Sequence, residues 1–131
     1  MDCLFCSIIA GDIPSRRVAA DETGYAFLDV APFQNGHTLV VPRRHVTSVL
    51  DNDGELARIA PLVTAVSKLL MTKLDAQGMN VVSNIGEVSG QSVFHLHVHL
   101  IPRYEDEPGF GAMRSARPLR DPDEVLALIR G

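Results

Sequence analysis

The sequence predicts an antiparallel α+β fold, a five-stranded antiparallel sheet with one long and two short helices, and three observations carry that prediction. Apolar residues recur at three- and four-residue steps along one long stretch, Glu55 to Leu74. Five shorter runs have strand character, three before that stretch and two after it. Turn residues, not helices, join the early runs, which favours hairpins over βαβ crossovers.

Leu4, Phe5, Ile8 and Ile9 repeat at helical spacing and Gly11 is placed as a stop, so a short helix is expected near residues 3 to 10, lying over the core. Arg17 to Ala20 and Tyr25 to Val30 flank Asp21-Glu22-Thr23-Gly24 and read as a hairpin. Gln34-Asn35-Gly36 is a turn leading into a third strand, His37 to Val41, that ends at Pro42. In the long helix, Leu56, Ile59, Leu62, Val63, Val66, Leu69, Leu70 and Leu74 form the apolar stripe, while Pro61 either kinks the helix or marks a late start. Met79 to Ser83 is a strand, Asn84 to Gln91 a Gly- and Ser-rich loop, and His95 to Ile101 a last strand closed by Pro102. Tyr104 to Pro118, with Gly109 and Gly111, is irregular. Asp121 then caps and Pro122 opens a terminal helix over Val125 to Arg130.

A chain of 131 residues fits a single domain, residues 1–131, with 104–131 as a C-terminal tail. At that length about two-thirds of the unfolded surface is buried on folding, enough for a core without staples. Hydrophobic residues at 46% and charged residues at 21% exclude wholesale disorder. No apolar run reaches the roughly 20 residues of a membrane span, and Met1-Asp2-Cys3 lacks the basic start of a signal peptide, so a cytoplasmic address and no membrane partner are expected. Twelve basic against sixteen acidic residues, a net charge of −4, argue against nucleic acid as a partner but not against a small anion held by local dipoles.

Three of the five histidines fall at period two, His95-Leu96-His97-Val98-His99. On a strand all three imidazoles leave one face while Leu96, Val98 and Leu100 enter the core. One such histidine would be an ordinary surface or core residue, but a row has no packing advantage over Val or Thr. The row could ligate a metal or supply a nucleophile with flanking partners. Gly86, Gly90, Gln91 and Ser92 precede it and offer backbone N–H groups and small polar side chains to an anion. No Asp or Glu lies in the strand to complete a hydrolytic metal centre. An imidazole beside an anion cradle favours covalent attack on phosphorus, with a neighbour holding the tautomer.

The segment Gly90-Gln91-Ser92-Val93-Phe94-His95-Leu96-His97-Val98-His99-Leu100-Ile101-Pro102 resembles the signature of the histidine triad (HIT) superfamily. Gly36-His37-Thr38-Leu39-Val40-Val41-Pro42 and Phe27-Leu28-Asp29-Val30-Ala31-Pro32 resemble two further family segments in the expected order, so that the likeness runs from about Cys3 to Arg103. The spacing most resembles the histidine triad nucleotide-binding branch, whose members hydrolyse purine nucleoside phosphoramidates and related phosphoanhydrides. That resemblance implies His97 as the nucleophile on an α-phosphorus, giving a nucleotidyl-histidine that water releases as a nucleoside monophosphate. It implies His99 on a phosphate oxygen, His95 and His37 as orienting groups, and Ser92 as a donor to the phosphate or leaving group. Asp29 would bind the ribose hydroxyls, Asn84 and Gln91 would stand beside the phosphate, and Ile13, Phe27 and Val30 would form the slot for the base. Without the resemblance, those three read as core and Asp29 as a turn residue. The resemblance further implies a purine nucleotide as partner and a homodimer in which the strand near Met79 to Ser83 and the preceding helix meet their symmetry mates.

Cys3 and Cys6 are the only cysteines. As a C-x₂-C pair they could be inert small apolar residues, a redox pair lacking the usual βαβ context, or half of a zinc site. Resemblance to bacterial members completes the last reading with His45 and His95, giving a structural zinc, with no cofactor required for catalysis. The rival functions are a dinucleoside polyphosphate hydrolase, which shares nearly all the motifs, and a nucleotide- or metal-binding module whose turnover is incidental. A nucleotidylyltransferase is less favoured at this length.

Overall fold

The computed structural model describes residues 2–109 and 118–131. The elements run α1 (Leu4–Ala10), β1 (Arg17–Ala20), β2 (Gly24–Leu28), β3 (Thr38–Pro42), α2 (Glu55–Lys73), β4 (Gly78–Val82), β5 (Val98–Arg103) and α3 (Pro122–Arg130). The strands form one five-stranded sheet in the order β1-β2-β3-β5-β4, and every neighbouring pair is antiparallel. This is the α+β architecture the sequence predicts.

Strand alternation sends each face to a different helix. Ala26, Val40, Val98 and Leu100 face α2, whose buried residues Ile59, Leu62, Val66 and Leu70 recur at three- and four-residue steps. Phe27, Leu39 and Val41 face the other way and pack with Cys3, Phe5 and Ile8 of the α1 segment. His99 pairs with Leu39 across the ladder, so its side chain falls on the α1 face. Gly11 ends α1 in the left-handed conformation, φ 86°, and its N–H bonds to the Ile8 carbonyl.

Three expectations change. The strand predicted over 25–30 stops at Leu28, because the Asp29 side chain accepts the Ala31 N–H and starts a turn. Pro61 does not delay α2, which starts at Glu55. Pro61 and Ala57 are both exposed, and the Ala57 carbonyl that loses its helical partner lies on the solvent side. The terminal helix opens at Pro122 as expected, with Asp121 accepting the Asp123 N–H as its cap.

The third change concerns the histidine row. β5 begins only at Val98, so His95 and His97 precede the strand rather than lie on it. Val40 pairs with Val98, and two steps further the register would set Leu96 against Pro42, which has no N–H to give. The Leu96 N–H bonds instead to the Val46 carbonyl at 2.7 Å. Of the predicted irregular segment Tyr104 to Pro118, residues 110–117, Gly111 among them, lie outside the described residues.

Candidate active site

A cavity of about 360 Å³ opens on the α1 face of the sheet. Phe5 and Ile8 come to it from α1, Ile13 from the turn after α1, Phe27 from β2, Asp29 and Val30 from the turn after β2, Ser92 and His97 from the segment entering β5, and His99 from β5 itself. Its volume lies in the range of small-molecule sites, and its wall is mostly apolar with a few polar groups at one end.

Hydrogen bonding fixes the tautomer of each buried imidazole, because a carbonyl oxygen only accepts and a backbone N–H only donates. His97 Nδ1 lies 2.7 Å from the His95 carbonyl and therefore carries the proton, leaving the Nε2 lone pair free. Burial holds the His97 imidazole below its ordinary range, against the opposing pull of that carbonyl and of Asp29, so the ring is neutral. A neutral, buried imidazole with one nitrogen clamped and the other bare is the form that attacks an electrophile.

The neighbouring pair is ordered the other way round. The Phe33 N–H donates to His37 Nδ1 at 3.0 Å, which puts the His37 proton on Nε2. That Nε2 donates to His99 Nδ1 at 2.9 Å, which puts the His99 proton on its own Nε2. His99 Nε2 is buried with no hydrogen-bond partner among the described residues. Leaving a buried donor unpaired costs about 1–3 kcal/mol, and an oxyanion placed there would recover it. Burial, with His97 and His37 adding to it, pushes His99 down to about 4, so it donates as a neutral ring. The His97 and His99 rings meet edge-on with centroids 4.8 Å apart, and both line the same cavity.

The structure brings most of the predicted nucleotide residues to this cavity. Ile13, Phe27, Val30, Asp29 and Ser92 all line it, with Phe27 buried and Val30 exposed at the rim. Asp29 Oδ2 stands 3.6 Å from His37 Nε2. Gln91 is not among the lining residues. Its amide is buried and engaged, accepting the Gly86 N–H and donating to the Thr47 and Val93 carbonyls. It therefore shapes the Gly86–Gly90 loop from within rather than facing the cavity. Asn84 also lies off the cavity, against Gly90.

His95 turns its ring to a second cluster. Its Nε2 donates to the Pro42 carbonyl at 2.8 Å, so its Nδ1 is bare. That nitrogen lies 3.3 Å from Cys3 Sγ, 3.5 Å from Cys6 Sγ and 3.2 Å from His45 Nδ1, and Cys6 Sγ is 3.5 Å from His45 Nδ1. A tetrahedral zinc with ordinary bond lengths sets sulfur and nitrogen ligands about 3.5 Å apart and two nitrogens about 3.3 Å apart. The four predicted ligands fit that figure, all their donor atoms lying within 4.8 Å of one another. Burial and the adjacent Cys3 push the Cys6 thiol up to about 11.

Sequence reasoning missed Phe5 as a site residue. Its ring meets His97 edge-on at 5.0 Å and His95 at 5.9 Å, so it braces both imidazoles and lines the cavity. Its helical spacing with Ile8 marked a core face, and that face is also the cavity wall. The carbonyls of Pro42 and His95 and the N–H of Phe33 were equally invisible, since main-chain groups leave no residue signature.

A family model described as HIT domain matches residues 10–106. The Schizosaccharomyces pombe protein named adenosine 5'-monophosphoramidase hnt1 is 38% identical over 129 residues, covering 98% of this chain and 93% of the relative. A member of the HIT family of proteins from Bacillus subtilis superimposes with a TM-score of 0.85 at 36% identity, covering 99% of this chain and 94% of that one. A Zn-bound histidine triad family protein from Mycobacterium smegmatis superimposes with a TM-score of 0.76 at 35% identity, covering 99% and 91%.

Proposed function

The chain belongs to the HIT-domain family, and from that premise we propose that it is a hydrolase that cleaves purine nucleoside phosphoramidates or related phosphoanhydrides through a nucleotidyl-His97 intermediate. The single observation that carries this reading is the ordering of protons in the cavity. His97 keeps Nε2 bare through its bond to the His95 carbonyl, while the neighbouring His99 ring carries an unpaired Nε2–H in the same cavity. One group suits attack on phosphorus, and the other suits the oxygen on which charge develops. The name of the yeast relative supports the phosphoramidate as the substrate bond.

In this mechanism the apolar wall of Phe27, Ile13 and Val30 holds the base, and Asp29 accepts from the ribose hydroxyls. His97 Nε2 attacks the α-phosphorus, the phosphorus–leaving-group bond breaks, and the leaving group departs with a proton to which the exposed Ser92 hydroxyl gives access. His99 Nε2–H steadies a non-bridging oxygen throughout. Water then attacks the nucleotidyl-imidazole and releases the nucleoside monophosphate, regenerating the bare nitrogen.

Cys3, Cys6, His45 and His95 hold a structural zinc in this reading, supported by the tetrahedral spacing of their donors and by the Zn-bound neighbour. When bound, the ion cross-links the N-terminal segment to the chain after β3 and to the segment entering β5, and leaves no open position for substrate. A homodimer through β4 is supported by its place at a sheet edge, with Val81 57% exposed. No helix among the described residues is long and apolar enough to cross a membrane, and both cysteines are free, which suits the cytoplasm.

The deciding experiment mixes the protein with adenosine phosphoramidate, quenches in base to preserve the acid-labile adduct, and looks by mass spectrometry for AMP on His97. His97→Ala should form no adduct and lose turnover, yet bind AMP within about tenfold of wild type. Turnover in His97→Ala near the wild-type rate would defeat the assignment, and a parallel panel of diadenosine polyphosphates separates the two hydrolase readings.

A further inference from the structure

His95 joins the cysteine cluster to the proposed nucleophile. Its imidazole Nδ1 faces Cys3, Cys6 and His45, and its main-chain carbonyl holds the His97 Nδ1 proton at 2.7 Å. Ring and carbonyl belong to one residue, so the partners of the ring add to the restraint on the carbonyl that the Leu96 N–H bond to Val46 also supplies. Phe5 ties them further, packing its ring against both His95 and His97 while Cys3 and Cys6 flank it in sequence. A second cavity, adjoining the first at Ser92 and open to solvent, is lined by Cys3, His45 and Phe94, and gives small solutes a route to the cluster.

We propose that the Cys3–Cys6 pair sets the competence of His97 through His95, so that two-electron oxidation of the pair by a hydroperoxide switches turnover off. The inference rests on the reading of His97 as nucleophile. In the oxidation, one sulfur attacks the peroxide oxygen to give a sulfenic acid and an alcohol or water, and the other sulfur displaces water to close the disulfide. The two sulfurs lose two electrons, and the peroxide O–O bond is reduced by the same two. A disulfide sulfur has no thiolate charge left for a metal, so the His95 ring loses the centre that its Nδ1 faces. The carbonyl clamp on His97 then slackens, and the imidazole no longer keeps Nε2 bare and aimed. Cys3 and Cys6 are positioning residues in this scheme, since neither touches the substrate.

The test uses the full chain loaded with zinc and treated with hydrogen peroxide. Expected are a peptide-level loss of two hydrogens at Cys3 and Cys6, release of the metal to a colorimetric chelator, and a fall in kcat of about tenfold or more. AMP affinity should change less than about threefold, because the base and ribose contacts lie elsewhere in the cavity. Imidazole ¹⁵N spectra should show the single His97 tautomer before treatment and a mixture after it, and dithiothreitol with zinc should restore both spectrum and rate. Cys6→His keeps a ligand but removes the second thiol, so whatever turnover it retains should resist peroxide. Disulfide formation with kcat and the His97 spectrum unchanged would overturn the proposal, as would no disulfide at all, or equal losses of kcat and AMP affinity. Turnover surviving in His97→Ala fails the nucleophile reading itself, an outcome separate from each of these.

Discussion

Acidification should destabilise this protein through His99, by an amount its surroundings allow to be worked out. Burial is the largest cause of its lowered pKa, followed by His97 and His37, with Asp29 opposing. The group titrates at about 4 in the folded chain, against its ordinary value of about 6.5. Between those two values the unfolded chain binds the proton and the folded chain does not, so stability rises with pH and is lost as pH falls from about 6.5 towards 4. At about pH 5, relative to about pH 7.5, the His99 share of that loss is about 2 kcal/mol. Urea unfolding of wild type and His99→Asn at both pH values isolates it, because Asn does not titrate and other groups remain common to both proteins. The variant should show a pH effect smaller by about 2 kcal/mol. Identical pH effects in the two proteins would refute the reasoning and place the His99 ring in contact with solvent.

Asp29→Asn should weaken AMP far more than 2′,3′-dideoxy-AMP with little change in melting temperature, and equal losses by calorimetry would remove the carboxylate from the ribose. Gly36→Ala forces a side chain into φ 88° and into Leu74 Cδ1, with Pro102 Cγ 3.2 Å away, and should cost about 1–2 kcal/mol in denaturant unfolding. Because Gly36 immediately precedes His37, kcat should fall in the same variant. Elemental analysis of protein purified without chelator should find about one zinc per chain, and Cys3→Ser with Cys6→Ser should lose it and lower the melting temperature without unfolding the domain. A metal-free wild type that takes up no added zinc would defeat that assignment.

Much of the fold was legible because local signals and tertiary demands agree. Arg17–Ala20 emerged as a strand with the bounds read from its apolar run, Gly11 stops α1, and the α2 stripe buries Ile59, Leu62, Val66 and Leu70 as its spacing requires. The failures arose where one residue's chemistry depends on a partner distant in sequence. The histidine row looked like a regular strand because nothing local to it discloses that the register would carry Leu96 to Pro42, or that its N–H turns to Val46 instead. Gln91 looked like a ligand for an anion because its three internal partners, Gly86, Thr47 and Val93, become visible only in the folded chain. The candidate site was readable as a set of side chains, and its proton order was not, since carbonyls and N–H groups decide it.

The acceptor that clamps His97 is a peptide carbonyl, and every amino acid supplies one. Selection on the residue at position 95 therefore acts through its ring alone, while the bond that prepares the nucleophile is indifferent to which residue is encoded there. The peptide after it has independent anchors, the Leu96 N–H on Val46 and the Ser83 hydroxyl on the His97 carbonyl. A lineage that discards both cysteines and the histidine at 95 could thus inherit the chemistry intact, provided these anchors were strengthened to carry the added share of the restraint.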